Sequence, residues 1–189
     1  KTCERSIARG MRVTGSELIG LVPKKVLIDA GKHFLKKQER SIGIAESEII
    51  RIAIKTLGLD ELAPFNPEER VIEYMLESDA NKPLVNMTLT DFTNETASES
   101  PAPGGGSISA YCGAMGAALG TMVANLSAHK RGWDDRWKEF SDWAEKGMTY
   151  QRTLLDLVDE DTNSFNKIMD ALRLPKDSEE DKTKRAKAI

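Results

Sequence analysis

Apolar positions in this chain recur mostly every three or four residues, the spacing of an amphipathic helix face. Val26, Leu27, Ala30, Phe34 and Leu35 form one such stripe after Pro23, whose missing N–H suits the start of a helix. ESEIIRIAIKTLG carries a second stripe, with Gly58 placed to end it. A third helix is predicted from Asn66-Pro67-Glu68-Glu69 through ERVIEYMLE: an Asn cap, proline at the first helical position and a glutamate able to reach back. TLTDFTNETASES predicts a short helix capped by Thr88 or Thr90. A long helical pattern runs from about Trp137 to Leu172, with a break expected near Gly147, and the tail PKDSEEDKTKRAKAI has helical propensity. Only RGMRVTGSELIGLVP reads as extended. The chain is therefore expected to be mainly α.

One stretch departs from the amphipathic rule. PAPGGGSISAYCGAMGAALGTMVANLS, Pro101 to Ser127, has no charged side chain and opens on three consecutive glycines. It is long enough for a membrane span, since about 20 apolar residues cross a bilayer. Its Ser107, Ser109, Asn125, glycines and alanines give little hydrophobic gain, and no basic asymmetry or aromatic belt marks its ends. As a phosphate loop, GGGS lacks the lysine and the spacing of a P-loop. The third reading fits best: a helix thinned by Gly113, Gly116 and Gly120 for close packing, because each helical glycine costs about 0.8–1 kcal/mol and needs a compensating contact. The GGG before it is either a turn of unusual backbone angles or a set of bare N–H groups offered to an anion.

Charge and composition narrow the classes. The 189 residues are 40% hydrophobic with a formal charge of −3 and no basic block, which argues against broad nucleic-acid or membrane-surface binding. Cys3 and Cys112 stand far apart in no metal or redox spacing, and fit a reducing cytosol. ESDANKPL, from Glu77, is the best linker. The chain begins without Met and ends inside a charged helical pattern, so a fragment is expected. His33 reads as a surface residue, His129 lies in the turn after the small-residue helix, and Trp133, Trp137 and Trp143 read as core or interface.

Candidate chemistry centres on LLDLVDEDTNSFNKIMDAL. Its apolar stripe runs Leu154, Val158, Phe165, Ile168 and Leu172, with Asp161 at the one position that should be apolar. Asp156, Asp159 and Glu160 fall off the stripe and read as a solvated acidic face. An inward carboxylate must be paired, hydrogen-bonded or protonated. It is either a satisfied structural aspartate or a general acid/base in a cleft between helices. Gln151, on the same stripe, is a second inward polar group.

PAPGGGSISAYCGAMGAALGTMVANLS and LVDEDTNSFNKIMDALRLPKDSEEDK closely resemble the first half of the cyclodeaminase domain of the formimidoyltransferase-cyclodeaminase family. GSELIGLVPKKVLIDAGKHFL and LGLDELAPFNPEERVIEYML resemble the end of that family's transferase domain. The resemblance implies residues 1–76 from the transferase, a linker at 77–85 and the start of the cyclodeaminase at 86–189. It thus implies a short α/β remnant followed by an incomplete helical bundle. It implies transfer of a formimino group from N-formimino-glutamate to tetrahydrofolate in histidine breakdown, then cyclisation to 5,10-methenyltetrahydrofolate with loss of ammonia.

The family's D-x-D-x-x-x-F segment carries an aspartate regarded as catalytic, placed here on Asp161. Gly104, Gly105, Gly106 and Ser107 would lie against the folate, and Lys130 or Arg131 would attract its glutamate tail. Tetrahydrofolate is the co-substrate, with no metal. The partners are folate and its formimino derivative, not nucleic acid or membrane. Self-association in a ring-shaped assembly is expected through the Ser107–Ser127 helix, in the cytoplasm. Relatives often carry Tyr-Gly where this chain has Ala128-His129, so no role is carried there. If the molecule consists of these residues alone, it is expected to be inactive. The competing expectations are a methenyltetrahydrofolate cyclohydrolase and a non-catalytic helical oligomerisation module.

Overall fold

The computed structural model describes residues 2–13, 17–76, 82–175 and 177–188. Its helices are α1 (Thr2–Ile7), α2 (Lys24–Lys37), α3 (Glu46–Leu57), α4 (Pro67–Arg70), α5 (Ile72–Leu76), α6 (Leu89–Thr96), α7 (Gly105–Ala128), α8 (Trp137–Arg173) and α9 (Glu179–Ala188). The chain forms two compact units, one of Lys1–Glu77 with Val123–Glu145 and one of Ser78–Met122 with Lys146–Ile189. The mainly-α expectation holds. The predicted linker falls largely on Glu77–Asn81, outside the described residues, as do Thr14–Ser16 of the expected strand.

In the first unit α2 lies on α3. They approach closely at Gly31, where a Cβ would stand 2.3 Å from the backbone oxygen of Ile49. Leu27, Ile50, Ala53 and Ile54 close the core with Val22 and Val71. Those two valines explain two departures from the sequence reading. Among the described residues the extended segment yields no strand, only a single parallel bridge between Val22 and Val71. The helix expected from Asn66 is split at that point into α4 and α5. Val71 is fully buried and extended, and its neighbours exchange main-chain bonds with Val22: the Val22 N–H reaches Arg70 O at 2.9 Å and the Ile72 N–H reaches Val22 O at 3.1 Å. Burial of Val71 plus two non-local hydrogen bonds outweighs one continuous helical turn. The cap itself forms, with Asn66 Oδ1 accepting from the Glu68 N–H and Asn66 Nδ2 donating to Glu69.

Residues Ser41–Gly43 attach to the second portion of this unit. The Ile42 N–H donates to Ser141 Oγ at 3.0 Å, and Asn125 Nδ2 donates to Gly43 O at 2.7 Å. Gly43 lies so close to α8 that a Cβ would stand 2.2 Å from the Ala144 carbonyl carbon.

In the second unit Thr88 caps α6 by accepting the Asp91 N–H. The Asp159 carboxylate, 3% exposed, accepts the N–H groups of Leu84 (2.8 Å) and Val85 (3.1 Å). The expected break at Gly147 is absent and α8 runs on through it. Glycine is required there because Thr121 Oγ1 would stand 2.1 Å from a Cβ. That contact compensates the intrinsic cost of a mid-helix glycine. The small-residue helix α7 is less closely covered than expected. A Cβ on Gly113 would stand 3.4 Å from Leu154, an ordinary contact, whereas Gly116 and Gly120 face open space and Met115, Leu119 and Met122 are half exposed. By length and composition α7 could cross a bilayer, but its first turn buries Ser107 in protein contacts and Asn125, near its end, hydrogen-bonds Gly43.

Helices α2 and α3 end in the same motif with different residues. In each, the residue just after the left-handed one bonds back to a carbonyl five positions earlier, Arg40 N–H to Leu35 O and Leu59 N–H to Ile54 O. The left-handed position is Gly58 in α3, at φ 68°, but Glu39 in α2, at φ 54°. A side chain in that region costs about 1–2 kcal/mol. Glu39→Gly should therefore raise unfolding stability by about 1 kcal/mol, read from urea denaturation. A neutral or destabilising result would mean that Glu39 makes a compensating contact.

Candidate functional site

The N-terminus of α7 is built from the triple glycine. A cis Ala102–Pro103 peptide leads in, Gly104 O accepts the first helical bond from the Ile108 N–H, and α7 starts at Gly105. The first helical N–H groups have no carbonyl behind them and need outside acceptors. Asp161, from α8, supplies one: its Oδ2 accepts the Ser107 N–H at 2.9 Å. The other oxygen, Oδ1, lies over the bare Cα of Gly106. A Cβ there would stand 2.2 Å from Oδ1 and 2.5 Å from the carboxyl carbon. Asp161 therefore sits at the positive end of the α7 dipole, seated on main chain that only glycine leaves open.

Ser107 is fully buried and shares this seat. Its Oγ is 2.7 Å from Val158 O, 3.1 Å from Thr162 Oγ1 and 3.2 Å from Asp161 Oδ2. A hydroxyl has one proton. The shortest contact assigns it to Val158 O, which leaves Thr162 to donate to Ser107 and makes the main-chain N–H the firm anchor of Asp161. Ser107 thus bolts α7 to the backbone of α8 one turn before Asp161.

Gly106, Ser107 and Asp161 are brought together, beside Gly104 and an exposed Gly105. Lys130 is not part of this cluster. It belongs to the other unit, where its Nζ lies 4.4 Å over the Trp133 ring. The expected inward orientation of Asp161 is corrected: the residue is exposed, and the buried positions of α8 here are Val158 and Asp159. Phe165, Ile168 and Leu172 of the predicted stripe are also 37–49% exposed. Asp159, read from the sequence as solvated, tolerates burial because two main-chain N–H groups satisfy it. Asp159 and Thr162 are the site neighbours that the sequence reading passed over. The D-x-D-T arrangement was their only sequence signal, and it does not reveal which acid turns inward.

Chemically, the cluster offers a fixed carboxylate open to solvent. Oδ2 is held by protein, and Oδ1 takes no hydrogen bond among the described residues, so it is available to accept a proton and return it. In the same unit Leu84, Phe92, Tyr111, Leu155 and Val158 line an apolar cavity of about 90 Å³, with the Phe92 and Tyr111 ring centres 5.5 Å apart. Among the described residues no three His, Cys, Asp or Glu side chains are grouped to hold a metal.

Gly106→Ala tests the seat directly. The clash is with the end of a side chain, so the fold should persist while Asp161 swings away. The expected outcome is faster amide exchange at Ser107 and a stability loss of about 1 kcal/mol. Unchanged exchange would show that the carboxylate is not held by that N–H.

Residues 88–189 match the family profile described as Formiminotransferase-cyclodeaminase, and residues 1–77 match that of the Formiminotransferase domain. The formimidoyltransferase-cyclodeaminase of Gallus gallus is 36% identical over 190 positions, covering 100% of this chain and 35% of the relative. That of Sus scrofa is 37% identical with the same coverage. The methenyltetrahydrofolate cyclohydrolase of Methylorubrum extorquens is 38% identical over 104 positions, covering 55% of this chain and 50% of that protein. The chain thus spans about a third of the length of the two animal relatives.

Proposed function

This chain belongs to the formiminotransferase-cyclodeaminase family, and we propose that its Asp161 cluster performs the ring closure of 5-formimino-tetrahydrofolate to 5,10-methenyltetrahydrofolate with release of ammonia. On this reading residues 1–76 are the end of the formimidoyltransferase that makes the substrate from N-formimino-glutamate and tetrahydrofolate, 77–85 join the two, and 86–189 begin the cyclodeaminase. The observation that carries the proposal is the carboxylate seated on Gly106 and Ser107, with one oxygen still open.

The chemistry balances around that oxygen. N10 of the folate adds to the carbon of the protonated formimino group, forming the N10–C bond and a tetrahedral adduct. N10 must lose its proton and the departing nitrogen must gain one. Asp161 takes the first and returns it to the second, and breaking the C–N bond then releases neutral ammonia and leaves the methenyl cation. One carboxylate therefore serves both steps without net proton uptake, and no metal is assigned a role. Gly104, Gly105 and Gly106 would line the folate, whereas Ser107, expected there from the sequence, is fully buried and holds the Asp161 seat instead; Lys130 would attract the glutamate tail.

Self-association is assigned to the outer face of α7, where Met115, Leu119 and Met122 stand exposed beside the uncovered Gly116 and Gly120. The protein is placed in the cytoplasm, a setting in which the exposed thiols of Cys3 and Cys112 stay reduced. A second reading, methenyltetrahydrofolate cyclohydrolase, draws support from the Methylorubrum extorquens relative. The transferase match over residues 1–77 favours the first.

Asp161→Asn in the full-length gene product should lower kcat for ammonia release from 5-formimino-tetrahydrofolate by about 10²–10⁴-fold while sparing helix content and assembly. Undiminished turnover would remove Asp161 from the reaction. Faster hydrolysis of the methenyl compound than cyclisation of the formimino compound would select the second reading.

A further inference from the structure

The first unit holds a larger cavity that the proposed chemistry does not use. It measures about 360 Å³ and lies between the end of α2 and the exposed side of α3, within the size range of small-molecule sites. Its charged and polar lining is lopsided. Arg40, Arg51 and Lys55 are its basic residues, against the one carboxylate of Glu48, with Ser41 and His129 among its other polar residues.

The existing contacts leave positive charge uncommitted. Arg51 puts Nε and Nη2 on the same Glu48 oxygen, at 2.9 and 2.7 Å. Lys55 pairs with Asp60, which is not a lining residue. Both pairs have exposed cations, so each contributes little, and the cations can turn to a ligand at small cost. Arg40 has no ion-pair partner among the described residues. Ser41 is 3% exposed; its Oγ accepts the Gly43 N–H at 3.2 Å, which leaves its own O–H to donate. His129 comes from the region matched by the cyclodeaminase profile and the other five from the transferase match, so the wall draws on both.

We infer that this cavity binds a small oxyanion ligand, a carboxylate or a phosphate, held by Arg40 with Arg51, Lys55 and the Ser41 hydroxyl. A fork of guanidinium donors with a buried hydroxyl matches the acceptor oxygens of either group, and neutral or cationic ligands would leave Arg40 uncompensated. The site is independent of Asp161, so its occupancy does not depend on the cyclisation reading.

Calorimetric titration of the full-length gene product with citrate and with inorganic phosphate, at constant ionic strength set by sodium chloride, tests the inference. At least one probe should bind saturably to one site, and Arg40→Gln should weaken it about tenfold. Citrate alone binding identifies a carboxylate ligand, and phosphate alone a phosphoryl one. Arg40 is exposed and its main-chain cap bond survives the change, so folding should be retained; Lys55→Gln, at an exposed side chain, gives a second reading in the same direction. No saturable binding of either probe up to about 10 mM overturns the inference. So does equal binding by folded Arg40→Gln and Lys55→Gln. Asp161→Asn should bind the probe as the parent does, which separates this outcome from failure of the cyclisation reading.

Discussion

The site rests on a carboxylate that has taken the place of a side chain. Asp161 reaches from α8 to the first turn of α7, and its oxygens occupy the volume that a Cβ on Gly106 would need. The same carboxylate satisfies the Ser107 N–H, one of the helix-terminal donors that otherwise has no partner. Two long helices are thereby joined through a contact that is at once a cap, a packing constraint and an exposed acid. The buried Ser107 hydroxyl on Val158 O, with Thr162 beside it, ties the joint at a second point. A carboxylate so held suits the proposed ring closure, in which it would meet two nitrogens in succession without losing its place.

A second carboxylate two residues away does different work. Asp159 is buried and fully occupied by the Leu84 and Val85 N–H groups, so it ties the segment before α6 to α8. Asp161 keeps one oxygen free. Two acids of identical chemistry are separated in role by what surrounds them: main-chain donors on both oxygens in one case, on one oxygen in the other. The first unit shows the same economy of main-chain contacts at Val22 and Val71, and at Gly43 against Ala144.

Local features were legible in the sequence because their causes are local. The Asn66 and Thr88 caps, the Gly58 terminus and the helical character of the uncharged run all depend on residues within a turn or two of each other. The stripe arithmetic turned Asp161 inward, and the family resemblance set it at one site with the triple glycine. Asp161 is exposed, and the inward acid is Asp159, because its partners are main-chain N–H groups some 75 positions earlier that no periodicity reveals. The split at Val71 and the unbroken helix at Gly147 were missed for the same cause: each is decided by a distant residue, Val22 in one case and Thr121 in the other. Gly116 and Gly120 show the converse, small residues whose expected covering contact is not made within their unit.

The claim that the Gly106 seat and the Asp161 carboxylate act as one device is tested most directly by a double-mutant cycle on the cyclisation rate of the full-length gene product. Gly106→Ala and Asp161→Asn are measured singly and together. The account predicts that the double variant is no slower than Asp161→Asn alone, because a carboxylate already displaced or neutralised has nothing further to lose. Rate losses that multiply would show that Gly106 and Asp161 serve separate purposes, and the shared seat would no longer explain the site.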